Sequence, residues 1–302
     1  MTAGGKVFLA GLAIAVAGTG LLLARGPRPT SLAAAETNPN AGLLGLGLAI
    51  ATLGCFIYVL QPTFDKRVAR RLPYATVRTA AAMLVVAVAV ANLLSLPLFL
   101  SRGQAAETQG PALGPLGLAY AVVASEVPIL AVVWLRLVVP RCRNWRELGL
   151  RWQPLLDHVQ RGLLGGVALF IAAAAVGAVL TRLGVRQNQF ERFQGIEGAP
   201  LPLFLLALAA GCVLAPFVEE LFFRGYVFQT FSERYHPAWA YLFSAGLFAV
   251  VHANLAAAAP IFVLGLMLAY IFKSSGSIIP GAIAHGVNNA ISFWLLYTGL
   301  GR

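Results

Sequence analysis

Two adjacent carboxylates and one guanidinium stand inside an apolar stretch of the sequence. Glu219, Glu220 and Arg224 follow residues 201–218, which carry no charged side chain. An ionisable group within a membrane-spanning segment costs roughly 2.5–3.5 kcal/mol on insertion scales, and it usually marks a functional site. The pattern therefore predicts a functional site at or within the membrane.

Helix geometry gives the two acids different surroundings. Glu220 and Arg224 are four residues apart, so they share one face of a helix and can form an ion pair. Glu219 is rotated by about 100° from Glu220 and faces another direction. We therefore expect one neutralised carboxylate and one without an ionic partner. A carboxyl group of the second kind, kept in an apolar site, has the character that a general base requires.

Two of the four histidines, His252 and His285, also fall in apolar stretches, where an imidazole usually has a partner. Glu219 and His252 stand at similar sequence distances on either side of a polar turn at residues 232–237, so two antiparallel helices would bring them to similar depth. Phe248 shares a helix face with His252, where it either walls the site or belongs to the core. The other two histidines, His158 and His236, fall in predicted loops, and we expect them at the surface.

The last apolar stretch contributes a histidine and an amide. His285 and Asn289 are four residues apart and share a helix face, with Asn288 as a near alternative. His285 lies close to the start of its helix, so a tilt or a re-entrant start is required to bring it to the depth of His252. Peptide hydrolysis requires a base for water and hydrogen-bond donors for the carbonyl oxygen, and these residue types supply both.

Three short motifs occur in order on successive apolar segments, namely Glu219-Glu220-x-x-x-Arg224, Phe248-x-x-x-His252 and His285-x-x-x-Asn289. Together they resemble the signature motifs of the CAAX-protease and bacteriocin-processing family of intramembrane proteases (CPBP, or Abi), over about residues 201–298. The resemblance implies that Glu219 and His252 activate a water molecule. It also implies that His285 and Asn289 stabilise the oxyanion, while Glu220 and Arg224 orient Glu219.

The family resemblance implies an endopeptidase that acts on a membrane-anchored substrate, either a prenylated CAAX-like tail or a leader peptide. A metal is an open alternative, because Glu219, His252 and His285 have the ligand types of a zinc site with a free fourth position. The absence of H-E-x-x-H and the presence of Asn289 favour a glutamate–histidine mechanism without metal. No cofactor other than this possible zinc ion is indicated.

Composition assigns the chain to the polytopic membrane proteins. Apolar residues make up 59% of the chain, charged residues 11%, and the mean hydropathy is +0.79; soluble domains carry about 25% charged residues. The net charge of +11 comes largely from two short loops, residues 61–78 and 140–161, which indicates cytoplasmic loops facing anionic lipid headgroups. It does not indicate nucleic-acid binding. Cys55, Cys142 and Cys212 have no C-x-x-C spacing and predict neither disulfides nor a thiolate metal site.

The apolar runs predict an all-α transmembrane bundle of about nine spans. We expect five N-terminal spans within residues 1–200 and the protease core within residues 201–298. The first run, residues 7–24, is longer than a signal-peptide core and is expected to be retained. Proline and glycine predict a break or kink near residues 211–216, because one straight helix over residues 201–235 would be too long for the bilayer. Because successive spans alternate in direction, the basic loops place the N-terminus in the cytoplasm. The expected location of the protein is a bacterial inner (plasma) membrane.

Glu126 is a lone acid in the fourth apolar run. It is expected either to support the polar site or to be held protonated or bonded to a neighbouring helix. Two other functions are compatible with the same buried groups: a transporter that uses them as a proton relay, and a catalytically idle family member that acts as a membrane scaffold. The intact motifs and the absence of a visible inverted repeat argue against both.

Overall fold

The computed structural model describes residues 3–24, 39–65, 76–100, 113–185 and 195–300, and within these residues it is helical without strands. The described residues form nine helices, in chain order α1 (Ala3–Ala24), α2 (Pro39–Phe64), α3 (Val77–Leu100), α4 (Pro115–Val133, extended by a π-helical turn at Trp134–Val138), α5 (Leu155–Arg182), α6 (Leu201–Ser232), α7 (Pro237–Val251), α8 (Ala258–Ser275) and α9 (Ile279–Tyr297). The predicted all-α class is confirmed.

Six of these helices are long and apolar enough to cross a membrane, namely α2 to α6 and α8. Helix α7 has 15 residues and is too short to meet the same length criterion. Helix α9 is not among the six either; it contains His285, Asn288 and Asn289, which lower its hydropathy. The chain is thus an integral membrane protein with several spans, and the expected number of nine is approximate.

The described residues form two compact units, which are considered separately. The first comprises described residues of 1–74, 78–89 and 132–142. Helices α1 and α2 pack closely there through glycine: a Cβ atom added to Gly4 would lie 2.6 Å from the Tyr58 backbone nitrogen. Tyr58 also shares a buried 2.9 Å hydrogen bond with the Thr79 hydroxyl. Lys66, Arg67, Arg70 and Arg71, which carry the first basic loop of the sequence analysis, lie outside the described residues.

The second unit comprises described residues of 75–77, 90–131 and 143–302 and contains every site residue proposed from the sequence. Helix α6 runs through it and packs against α7, α8 and α9. One apolar cluster joins α4, α6 and α9 through Leu118, Phe204 and Phe293. A second cluster joins α5, α8 and α9 through Leu169, Leu268 and Ala284. These clusters fix the helices that carry the polar groups.

The segment between α4 and α5 is anchored to the second unit by backbone hydrogen bonds. The Ile278 amide donates to the Gly149 carbonyl at 2.9 Å, and the Ser277 hydroxyl donates to the Arg151 carbonyl at 2.7 Å. Arg143 forms an ion pair with Glu233 at the end of α6. The basic loop predicted here therefore caps the ends of α6 and α9, and Leu155, at its C-terminal side, already begins α5.

Candidate active site

The sequence predicts a break or a kink near residues 211–216, and of these two the break is absent, because helix α6 is continuous past Pro216. Residues Ala210–Leu214 form a π-helical turn instead, in which the Ala215 amide donates to the Ala210 carbonyl, five residues earlier. The residue that would bond the Gly211 carbonyl in the same pattern is Pro216, which has no N–H. A π-helical turn thus absorbs the proline, and it leaves the Gly211 carbonyl free for another donor.

Asn289 of α9 supplies that donor. Its Nδ2 atom donates to the Gly211 carbonyl at 2.9 Å, and its Oδ1 atom accepts a 3.0 Å hydrogen bond from Asn288 Nδ2. The amide is therefore held from both sides, while one of its two N–H hydrogens has no partner in these bonds. Helices α6 and α9 approach closely nearby, because a Cβ atom added to Gly286 would collide with the Cys212 carbonyl.

The ion pair expected from the spacing of Glu220 and Arg224 is present. Arg224 Nη1 donates to Glu220 Oε1 at 2.6 Å, and neither side chain exposes any surface. Arg224 Nη2 donates to the Gly265 carbonyl of α8 at 3.2 Å. On α9, a Cβ atom added to Gly281 would lie only 2.8 Å from Glu220 Oε2. Gly281 thus makes room for the Glu220 carboxylate, while Gly265 contributes its backbone carbonyl to Arg224.

Glu219 lies beside His285. Glu219 Oε2 is 3.6 Å from His285 Nδ1, and Glu220 Oε1 is 3.8 Å from the same nitrogen. Glu219 exposes 14% of its side chain and His285 exposes 7%. The depth difference that the sequence left open between the start of α9 and the other site residues is therefore closed in the structure, and both carboxylates of α6 face one imidazole.

His252 follows the last residue of α7, and the backbone fixes its tautomer. His252 Nδ1 lies 2.7 Å from the Phe248 carbonyl oxygen. A carbonyl oxygen can only accept a hydrogen bond, so Nδ1 carries the hydrogen and Nε2 of the neutral ring is left with a lone pair. The imidazole is thus set up to accept a proton through Nε2.

Phe248 touches the charged group and both imidazoles of the site. Its ring meets the His252 ring edge-on at 4.8 Å and the His285 ring at 5.7 Å, and the Arg224 guanidinium carbon lies 4.5 Å from its centroid. Its side chain is 1% exposed. The two interpretations of Phe248, wall of the site or core residue, both hold.

Glu219, Phe248, His252, His285 and Asn289 line a single cavity of about 510 Å³, which also borders Asn288 and Ser292. A volume in this range is typical of small-ligand sites. Glu220 and Arg224 lie behind this wall with no exposed surface. The structure therefore brings together all the residues that the three motifs proposed.

Glu126 is buried in α4, with 4% of its surface exposed. The Ser125 hydroxyl donates to its Oε1 atom at 2.9 Å, and its Oε2 atom has no hydrogen-bond partner in the described structure. It interacts electrostatically with Glu219 but is not among the residues that line the cavity. Both interpretations of this acid made from the sequence stay predictions.

The two loop histidines differ in environment. His236 is exposed as expected, and its Nδ1 accepts from the Ala238 amide at 3.3 Å. The expectation for His158 is wrong, because it lies in the first turn of α5 and is 1% exposed. The helix begins several residues earlier than the apolar run suggested, which turns this side chain inward.

Sequence reasoning missed one whole side of the cavity. Phe170, Ala173, Ala174 and Gly177 of α5 line it, although the first five helices contain no recognisable motif. One signal was present: Gly162, Gly165 and Gly166 recur at helical spacing at the start of α5, which indicates close helix packing.

No group of three histidine, cysteine or acidic side chains in the described part of the chain is arranged to hold a metal ion. The three cysteines have free thiols and form no disulfide bond, as expected. Zinc on Glu219, His252 and His285 stays a prediction, and no step proposed below uses a metal.

Comparison with known proteins gives one match. Residues 201–291 match the model of a protein family described as type II CAAX prenyl endopeptidase Rce1-like. The match confirms, over α6 to most of α9, the resemblance to CAAX-type proteases predicted from the three motifs. A search of curated proteins found no match, and a search of solved structures found none.

Proposed function

We propose that this protein is an intramembrane endopeptidase that hydrolyses a peptide bond of a membrane-anchored substrate by means of an activated water molecule. The observation that carries the proposal is the convergence of Glu219, His252, His285 and Asn289 on one cavity. The family match over residues 201–291 supports a peptidase of the CAAX type. A prenylated CAAX-like tail or a leader peptide is the proposed substrate.

In the first step, a water molecule donates hydrogen bonds to Glu219 and to Nε2 of His252, and Glu219 takes one water proton as the water oxygen attacks the carbonyl carbon of the substrate. The fixed tautomer of His252 supports this assignment, because its Nε2 atom has the lone pair that accepts the second hydrogen bond. Glu220 and Arg224 orient Glu219 from behind. Their mutual 2.6 Å hydrogen bond neutralises Glu220, so that Glu219 is left as the base.

In the second step, the negative charge that develops on the carbonyl oxygen is stabilised by His285 and Asn289. Asn289 has an N–H hydrogen that the Gly211 bond does not use. Once Glu219 has taken the water proton, its O–H group can close the 3.6 Å gap to His285 Nδ1. The neutral His285 ring carries its hydrogen on Nε2, and this N–H group donates to the oxyanion. Collapse of the intermediate breaks the C–N bond, and the proton held by Glu219 passes to the leaving amine.

The test is Glu219→Gln in purified protein, assayed on a panel of membrane-anchored peptides. Removing a general base is expected to lower kcat by roughly 10²–10⁴-fold. Glu233→Gln is the matched control, since Glu233 is an exposed carboxylate paired with Arg143 at the end of α6; it should leave cleavage intact. Cleavage by Glu219→Gln at the wild-type rate would refute the proposed mechanism.

A further inference from the structure

The cavity extends from the candidate catalytic residues to one face of α5. Its lining there consists of Phe170, Ala173, Ala174 and Gly177, and on the opposite side it includes the aliphatic side chains of Leu264, Leu295 and Leu296. Among its described lining residues, Glu219 is the one Asp, Glu, Lys or Arg. One end of the cavity therefore carries the polar groups of the site, and the other end is hydrocarbon.

The gap between α5 and α9 follows from where the two helices touch. In the first half of α5, a Cβ atom added to Gly162 would lie 2.5 Å from Ile283 Cβ, and one added to Gly166 would collide with Val287. The contact there is closed. Beyond it, Gly177 is buried, yet a Cβ atom added to it would have no atom within 4 Å. The space next to Gly177 is therefore not filled by protein side chains.

The outer edge of the cavity borders the surface of a membrane-spanning helix. Ala174 lines the cavity and is also exposed, on a helix that is long and apolar enough to span the bilayer. A concave space with aliphatic walls binds aliphatic groups, since burial removes their surface from water. Its continuity with Glu219 and His252 places such a group beside the bond to be cleaved.

We infer that Gly177 of α5 determines the largest aliphatic group that the cavity accepts next to the scissile peptide bond. The inference rests on the proposed function, because the occupant is part of the molecule that is cleaved. It adds a residue that determines specificity on α5, outside the three motifs and outside the stretch that matches the family.

The decisive variant is Gly177→Leu, which adds a large aliphatic side chain at a position where an added Cβ atom meets no protein atom within 4 Å. Its control is Ala178→Leu, which adds a similar volume at the next position, where the side chain is exposed and does not line the cavity. Gly177→Ala adds a single carbon and serves as a graded variant. The melting temperature in detergent identifies any variant that fails to fold.

The assay compares membrane-anchored peptides that differ only in the length of one alkyl side chain next to the scissile bond. A single methylene misfit in an apolar pocket changes kcat/KM by roughly 10–200-fold. Gly177→Leu should therefore lower kcat/KM at least about 10-fold for the longest chain, mainly through KM, and should leave the shortest chain unaffected. Ala178→Leu should leave the whole series unchanged. An equal loss at all lengths, or no loss at any length, would overturn the inference.

A second readout does not depend on cleavage. A hydrocarbon that carries a photoreactive diazirine is bound to the purified protein, and labelled residues are mapped by mass spectrometry. Leu264 and Leu296, both buried residues of the lining, should be labelled in the wild type and in Ala178→Leu, but not in Gly177→Leu. Unchanged labelling in Gly177→Leu overturns the inference. A wild type that labels but cleaves no peptide contradicts the proposed function and leaves the inference on the cavity supported.

Discussion

Glu220 and Arg224 form an ion pair from which solvent is excluded, with a second bond from Arg224 to the Gly265 carbonyl. Such a pair adds little stability compared with apolar side chains of the same size, but loss of one partner leaves a buried charge without compensation. In the proposed mechanism, the pair orients Glu219, and it adds little to the stability of the fold as a whole.

Arg224→Ala is expected to destabilise the protein by about 3–5 kcal/mol, because it strands the Glu220 carboxylate in a dry environment. The measurement is the melting temperature in detergent. Arg161→Ala is the matched control: Arg161 and Asp157 form a pair of the same i,i+4 spacing on α5, with side chains 48% and 40% exposed. Its loss should cost at most about 1 kcal/mol. Equal shifts for both variants would contradict the burial argument.

Chelation tests whether the active site requires a metal ion. A glutamate–histidine mechanism predicts that cleavage persists after dialysis against a chelator, and that metal analysis of the purified protein finds no stoichiometric zinc. Stoichiometric zinc, with activity that is lost on removal and restored on addition, would instead assign Glu219, His252 and His285 to a metal site.

Spacing along one helix predicts pairs on that helix and little more. It was sufficient for Glu220 with Arg224 and for His285 with Asn289. It could not give the 3.6 Å approach of Glu219 to His285, because that distance depends on how α9 starts relative to α6. It also could not give the tautomer of His252, since the partner is a backbone carbonyl, which every residue type has.

At the scale of the helices, glycine sets the distances on which the site depends. Gly166 of α5 packs against Val287 of α9, Gly281 makes room for Glu220, and Gly286 for the Cys212 carbonyl. The π-helical turn of α6 also helps to position a site residue. It occurs where the sequence predicts a break or kink, and it leaves the Gly211 carbonyl to accept a hydrogen bond from Asn289. Proline and glycine predicted an irregularity at this position, but not which kind.

Gly166→Ala should destabilise the protein by about 1–3 kcal/mol, since a methyl group there overpacks the contact with Val287. Gly177→Ala on the same helix is the control: it meets empty space, and alanine in place of a helical glycine should stabilise by about 0.5–1 kcal/mol. Thermal unfolding in detergent compares the two. Stabilisation by both variants would show that α5 does not pack closely on α9.

At the scale of the whole molecule, the apolar runs of the sequence predict the helices of the structure. Hydropathy does not identify α9 as a membrane span, because the polar residues of the site lower its mean value. The division at residue 200 into N-terminal helices and a protease core stays a prediction. Helix α5, on the N-terminal side of that boundary, lines the cavity. No sequence motif in α5 predicts this contribution.

Positive-inside topology predicts that the segment between α4 and α5 is cytoplasmic and that the segment between α5 and α6 is on the opposite side. In a chain whose native cysteines are replaced, Arg146→Cys and Glu197→Cys place one thiol in each segment. A membrane-impermeant maleimide should label Glu197→Cys in intact cells, and Arg146→Cys only after the membrane is opened. The reverse pattern would invert the orientation and move the N-terminus outside.

The aromatic ring of Phe248 packs against both imidazoles of the site. It stands edge-on to both and beneath the guanidinium that holds Glu220. In the proposed mechanism His252 positions the attacking water and His285 donates to the oxyanion, so displacing this ring would affect both roles at once. An inhibitor that displaces it would disable attack and charge stabilisation together, without occupying the place of the scissile bond.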